Sequence, residues 1–147
     1  MKWRWIGVAF VLAGCVRGPA PQTEAEALQK FDEDRQIVAK AVPPDYKRVI
    51  VEALRRELKD PYSVRDPEIT DPAPGFIGIL NGGQGVVVCV RLNAKNSFGA
   101  YTGRATWGFA FREGMIVAQW PEGNSLACQG RAYFPFPELS ADLKAAR

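Results

Sequence analysis

Histidine is absent from all 147 residues. That removes the commonest general base and the usual nitrogen ligand of zinc in one observation, and weighs against acid–base and metal-assisted chemistry. Cysteine is scarce, at three residues, and no Cys-x-x-Cys pair occurs, so the spacing of zinc ribbons and dithiol redox centres is missing. There is also no apolar run of the roughly 20 residues that a membrane-crossing helix needs. Nor is one sign of charge dominant: 19 basic residues stand against 16 acidic ones, which is not the footprint of a nucleic-acid binder.

What is present begins at the N-terminus. Lys2 and Arg4 precede a short apolar stretch over residues 6–13, and Ala13 and Gly14 place small side chains just before Cys15. This is the layout of an export signal. The four residues Leu12-Ala13-Gly14-Cys15 resemble the lipobox of bacterial lipoproteins. The resemblance implies cleavage between Gly14 and Cys15, a diacylglycerol on the Cys15 sulfur and an N-acyl chain on the new amine. Beyond those covalent lipids no cofactor and no metal is expected. Each buried methylene contributes about 0.8 kcal/mol, and two chains already anchor stably, so three would hold permanently. Val16 stands where aspartate tends to retain such proteins in the inner membrane. The resemblance therefore implies the periplasmic leaflet of the outer membrane, the inner membrane being the other assignment. An ordinary signal peptide, or a chance apolar start with a free Cys15, is the competing explanation of this segment.

On this division residues 1–14 are a cleaved signal, 15–22 a lipidated tether and 23–147 a single domain. Removing the signal leaves 133 residues with 17 basic against 16 acidic side chains, enough for one core. The tether, rich in proline and glycine, spans on the order of 25 Å when extended. In an oxidising compartment Cys89 and Cys128 are expected to form a bridge that ties the tail to the sheet, with two buried free thiols as the alternative.

Thr23 and Glu26 form a capping-box pattern that starts a helix running to about Ala41, with Leu28, Phe31, Val38 and Val42 on or near one face. Pro43-Pro44 ends it and opens a second, in which Tyr46, Val49, Ile50, Ala53, Leu54 and Leu58 repeat at helical spacing. After Asp60-Pro61 the period changes to two. Strands are expected near 63–69, 75–80, 86–92, 104–112 and 115–120, with a tight hairpin turn at Asn81-Gly82 and another at Glu113-Gly114. Two helices followed by an antiparallel, hairpin-built sheet of four or five strands make an α+β domain with one sheet face on the second helix. The glycines around Asn81 lack the Lys-Ser or Lys-Thr and the helix start of a phosphate loop.

Between two strands lies Asn-Ala-Lys-Asn-Ser-Phe-Gly-Ala-Tyr-Thr-Gly, residues 93–103. With the preceding Leu58-Lys59-Asp60-Pro61-Tyr62-Ser63, it resembles a pair of motifs that recurs in small uncharacterised envelope proteins and lipoproteins of proteobacteria. It departs chiefly at Ala100, where the pattern has glycine. Two roles compete for this loop. One is structural, the Asn and Ser side chains satisfying backbone groups. The other is recognition of a partner by Asn93, Lys95, Asn96, Phe98, Tyr101, Thr102 and Arg104.

Catalytic constellations are thin. Ser97 with Lys95, and Ser140 with Lys144, carry no context that makes them a nucleophile and base. Asp32 with Asp34, and Asp66 with Glu68, read as solvated carboxylates; a glycosidase needs only two, and Glu68 with Asp71 in a cleft could serve one, but nothing in the sequence singles them out. Lys47, Arg48, Arg55, Arg56 and Lys59 on the second helix suit either anionic lipid or glycan contacts or a solvated face with pairs such as Glu52–Arg56. The expectation is thus a non-enzymatic, lipid-anchored accessory subunit that contacts the membrane through its anchor, binds another envelope protein and takes no nucleic acid. An inhibitor of an attacking enzyme such as lysozyme is the first alternative. A cell-wall or lipid-acting enzyme is the second, and the missing histidine disfavours it.

Overall fold

The computed structural model describes residues 23–121 and 126–145. The lipobox, Cys15 and the 15–22 tether lie outside the described residues. The capping box at Thr23 is in place: Thr23 N donates to Glu26 Oε2 at 2.8 Å, and Glu26 N donates to Thr23 Oγ1. The first of these bonds holds the Glu26 carboxyl below its ordinary range. Helix α1 (Glu24–Ala41) follows. Of its expected apolar face only the C-terminal end turns inward. Val38 is half-buried and Ala41 buried, while Leu28 and Phe31 are each 60% exposed. The last turn is pinned where Gly114 N donates to Ala41 O.

Helix α2 (Tyr46–Glu57) buries Ile50, Val51 and Leu54, which follow the helical period onto one stripe. The sheet comprises β1 (Asp60–Ile69), β2 (Ala73–Gly78), β3 (Gly83–Lys95), β4 (Ala105–Arg112), β5 (Met115–Trp120) and β6 (Phe134–Pro135). Its order is β5-β4-β3-β1-β6, and all the pairings are antiparallel. The thirteen-residue β3 is the spine. Its first half pairs with β2 and its second half with β1 along one edge, and β4 runs along the other. From Val86 to Val90 every side chain is inaccessible, so β3 reads as a continuous apolar run rather than an alternation.

Two layers cover it. Val88, Val90 and Leu92, with Trp107, Phe109 and Phe111, pack under α2 and a third helix. Val87, Cys89 and Ala110 face the other way, beneath the segment 126–133, and the Cys89–Cys128 disulfide fastens that segment down. The cysteines are therefore a bridge and not two free thiols. Thr70, the one buried polar side chain among the described residues, sits at the joint between β1 and β2. Its N–H donates to Cys89 O, and its hydroxyl accepts from Cys89 N at 3.0 Å, which satisfies the β3 backbone where neither neighbouring strand reaches.

Three expectations need correction. Six strands replace four or five, because the two-residue β6 extends the β1 edge. A third helix, α3 (Pro137–Ala145), follows, with proline at its first position, where the missing N–H costs nothing. The turn after β2 is not a two-residue Asn81-Gly82 turn. Asn81 Nδ2 donates to Ile77 O, which draws residues 79–81 into a 3-10 turn and leaves the left-handed angles to Gly82 and Gly83. At the β4–β5 turn, by contrast, Glu113 and Gly114 take the paired positive φ angles that a two-residue hairpin requires.

Candidate functional site

Strand β3 runs on to Lys95, so Asn93 and Lys95 belong to the sheet and the true loop is shorter than the motif, covering 96–104. Asn96 organises it. Its Oδ1 accepts from Phe98 N at 2.9 Å and Ala100 N at 3.1 Å, while its backbone N–H donates to Ala100 O. Gly99 takes φ 77° and Gly103 φ 110°, and Ala100 keeps an ordinary negative φ. The alanine in place of glycine therefore costs no backbone strain.

The two sequence motifs are one structural unit. Ser63 Oγ accepts from Lys95 N at 2.8 Å and donates to Asp60 O, and Tyr101 Oη donates to Ser63 O at 2.9 Å. Arg65 stacks on the Tyr101 ring at 4.3 Å, and the Lys95 ammonium lies 5.8 Å from the same ring. Asn96 and Tyr101 are thus committed to holding the loop. Phe98, at its tip, is 94% exposed. Thr102 is exposed, and Arg104 reaches Glu68 Oε2 at 3.2 Å. The Asn93 Oδ1 is buried without a hydrogen-bond partner.

On the helix side of this loop lies an open cleft of about 450 Å³. Leu92, Ala94 and Trp107 form its apolar part, Lys59 and Lys95 supply positive charge, and Asn96, Ser97 and Thr102 border it from the loop. The cleft lies where the C-terminal end of α2 passes the end of β3, a juxtaposition of segments more than thirty residues apart in the chain.

The other candidates do not assemble. Ser140 Oγ donates to Pro137 O within α3. Glu68 is engaged by Arg91 and Arg104, and Asp32 lies on exposed α1. Much of the basic face of α2 is paired: Arg48 with Asp45, Arg55 with Glu52 at 2.7 Å, and Lys47 with Glu138 at 3.9 Å. Glu52 thus selects Arg55, three residues on, and not Arg56. Among the described residues no three His, Cys, Asp or Glu side chains are grouped to hold a metal, and no helix is long and apolar enough to cross a membrane.

Sequence reasoning passed over Arg65, Arg91, Arg131 and Tyr133. The signal for Arg91 was a lone cation inside the apolar run Val-Val-Val-Cys-Val-Arg-Leu, at the period-two position of Cys89. No family model, curated protein or solved structure matches the chain. The class it defines is an α+β domain whose sheet is covered by α2 and α3 on one face and in part by residues 126–133 on the other, with a hydrogen-bonded loop at one end.

Proposed function

We propose that the protein is a lipid-anchored envelope subunit, facing the periplasm from the outer membrane, that binds another envelope protein and performs no chemistry itself. The anchor rests on Leu12-Ala13-Gly14-Cys15, and the Cys89–Cys128 bridge suits an oxidising compartment. The observation that carries the binding role is Phe98, a large apolar side chain 94% exposed on a loop whose backbone Asn96 and Tyr101 hold in place. Holding an aromatic side chain in water on an ordered loop prepays the ordering cost of an anchor residue. The cleft beside it fits an extended segment that brings an apolar side chain to Leu92, Ala94 and Trp107 and a carboxylate to Lys59 and Lys95.

The test combines capture and melting. In pulldowns from detergent-solubilised envelopes, Phe98→Ala is expected to weaken recovery of a stoichiometric partner about tenfold or more, close to 1.4 kcal/mol, with an unchanged thermal midpoint. Asn96→Ala leaves two loop N–H groups without their acceptor and is expected to lower the midpoint by a few degrees. Equal capture by wild type and Phe98→Ala would remove the loop from any interface, and inhibition of added lysozyme at equal molarity would replace the subunit by an inhibitor. Cys15→Ser should abolish lipid labelling and membrane fractionation. A Cys15→Ser protein that stays membrane-bound through a carbonate wash would overturn the anchor.

A further inference from the structure

The sheet face opposite α2 and α3 carries four arginines and one carboxylate, Glu68, which pairs with two of them. The register sets Glu68 opposite Arg91, Arg65 opposite Asn93, and Arg91 opposite Thr106, which puts their side chains on the face of Cys89. Arg104 joins them through Glu68. Arg131 arrives from the segment beyond the disulfide and donates to Val87 O at 2.8 Å. Arg91 and Arg131 line one open pocket of about 420 Å³, together with Thr106, Gln129, Gly130 and Tyr133.

These cations are held in place more fully than they are neutralised. Arg91 directs Nε and Nη2 to the same Glu68 oxygen, at 3.1 and 2.9 Å, and Arg104 uses that oxygen as well. Tyr133 lies under the Arg91 guanidinium at 3.8 Å and Tyr101 under Arg65 at 4.3 Å. Arg131 has backbone carbonyls and, among the described residues, no carboxylate. Burial pulls its guanidinium below the ordinary value. Among the described residues, only the Arg91 and Arg104 guanidiniums of the four reach a carboxylate, and both use the same Glu68 oxygen, so the cluster keeps an excess of positive charge. Joining the strands would have needed one arginine for Glu68.

We propose that this face binds a phosphate-bearing ligand, whose oxygens Arg91 and Arg131 take within the pocket while Arg104 closes the rim. A phosphate monoester carries about −1.5 to −2 charges, which matches the excess better than the single charge of a carboxylate. The planar guanidinium fork pairs with such oxygens two at a time. The phosphate can come from a soluble monoester or from a lipid whose headgroup is itself a phosphate monoester. This site is separate from the Phe98 cleft, on the other side of the sheet, and stands whether or not a protein partner binds there.

The experiment uses the full chain in neutral detergent micelles, titrated with inorganic phosphate at constant ionic strength and, separately, with phosphatidic acid or phosphatidylcholine. The thermal midpoint and ³¹P line widths are followed. A saturable rise is expected that chloride does not reproduce. Arg104→Gln, at an exposed position, and Arg131→Gln are each expected to weaken it about tenfold or more, read against that variant's own ligand-free midpoint, while Arg56→Gln on α2 leaves it unchanged. Response to inorganic phosphate supports the site with a soluble ligand, and response to phosphatidic acid alone supports it with a lipid headgroup. No response to either, an equal response to chloride or phosphatidylcholine, or full binding by Arg104→Gln and Arg131→Gln overturns it.

Discussion

Replacing Cys89 and Cys128 together by alanine is expected to cost about 4 kcal/mol, because the bridge spans 39 residues and closes the second half of β3 with β4 and β5 into one loop. Against a total stability of roughly 5–15 kcal/mol for a domain of this size, that loss is large. It corresponds to a fall of about 15 °C in the midpoint. The two residues do different structural work. Cys89 is fully buried in the middle of β3, so its alanine also leaves a small void, whereas Cys128 holds a 3-10 turn that packs on β2, β3 and β4. The expected intermediate effect is loosening of residues 126–133, which carry Arg131 and Tyr133. Thermal melts with and without reductant, and of the double variant, check the magnitude. A drop under about 3 °C would mean that packing by Ile77, Ala110 and Val87 holds this layer without the bridge.

Phe136→Ala should be comparably severe, at about 3–5 kcal/mol. Phe136 enters the helix-side core just before α3, with no accessible surface, and its N–H donates to Pro67 O at 2.8 Å. Leu139 and Leu143, also fully buried, follow on the same side of α3. Removing the ring opens a void in the helix-side core, between α3 and β1. Phe134, two residues earlier and 48% exposed, is the control, and Phe134→Ala is expected to change stability by less than about 1 kcal/mol. Urea titrations of both variants separate the cases. Equal midpoints for Phe134→Ala and Phe136→Ala would show that α3 contributes little to the core.

Sequence pattern was legible where one local period ran long enough to be read. The stripe of Ile50, Ala53 and Leu54, the capping box at Thr23, and the alternation of Trp107, Phe109 and Phe111 each announce their element from within it. Helix α3 escaped because nine residues carry only Leu139 and Leu143 as buried positions, and Pro135 and Pro137 beside Phe136 read as an extended tail. Leu28 and Phe31 misled in the opposite direction: an apolar pattern was present without a surface to receive it. The candidate loop was visible as a polar motif. The division of labour within it was not, since Ser63 and Lys95 meet across 32 residues and Arg104 and Glu68 across 36. Such pairings follow from register, which a single sequence does not state.

Helix α1 has one buried residue in eighteen, and its exposed first half is held mainly by its own cap and side-chain pairs such as Gln29–Glu33. An isolated helix of this length is marginal in water. As a helix it spans about 27 Å; drawn out it reaches about 60 Å. Tension applied on the side of Thr23 would therefore lengthen the chain before it disturbed the sheet. Under such a pull this segment is expected to serve as a length reserve while the domain itself stays folded.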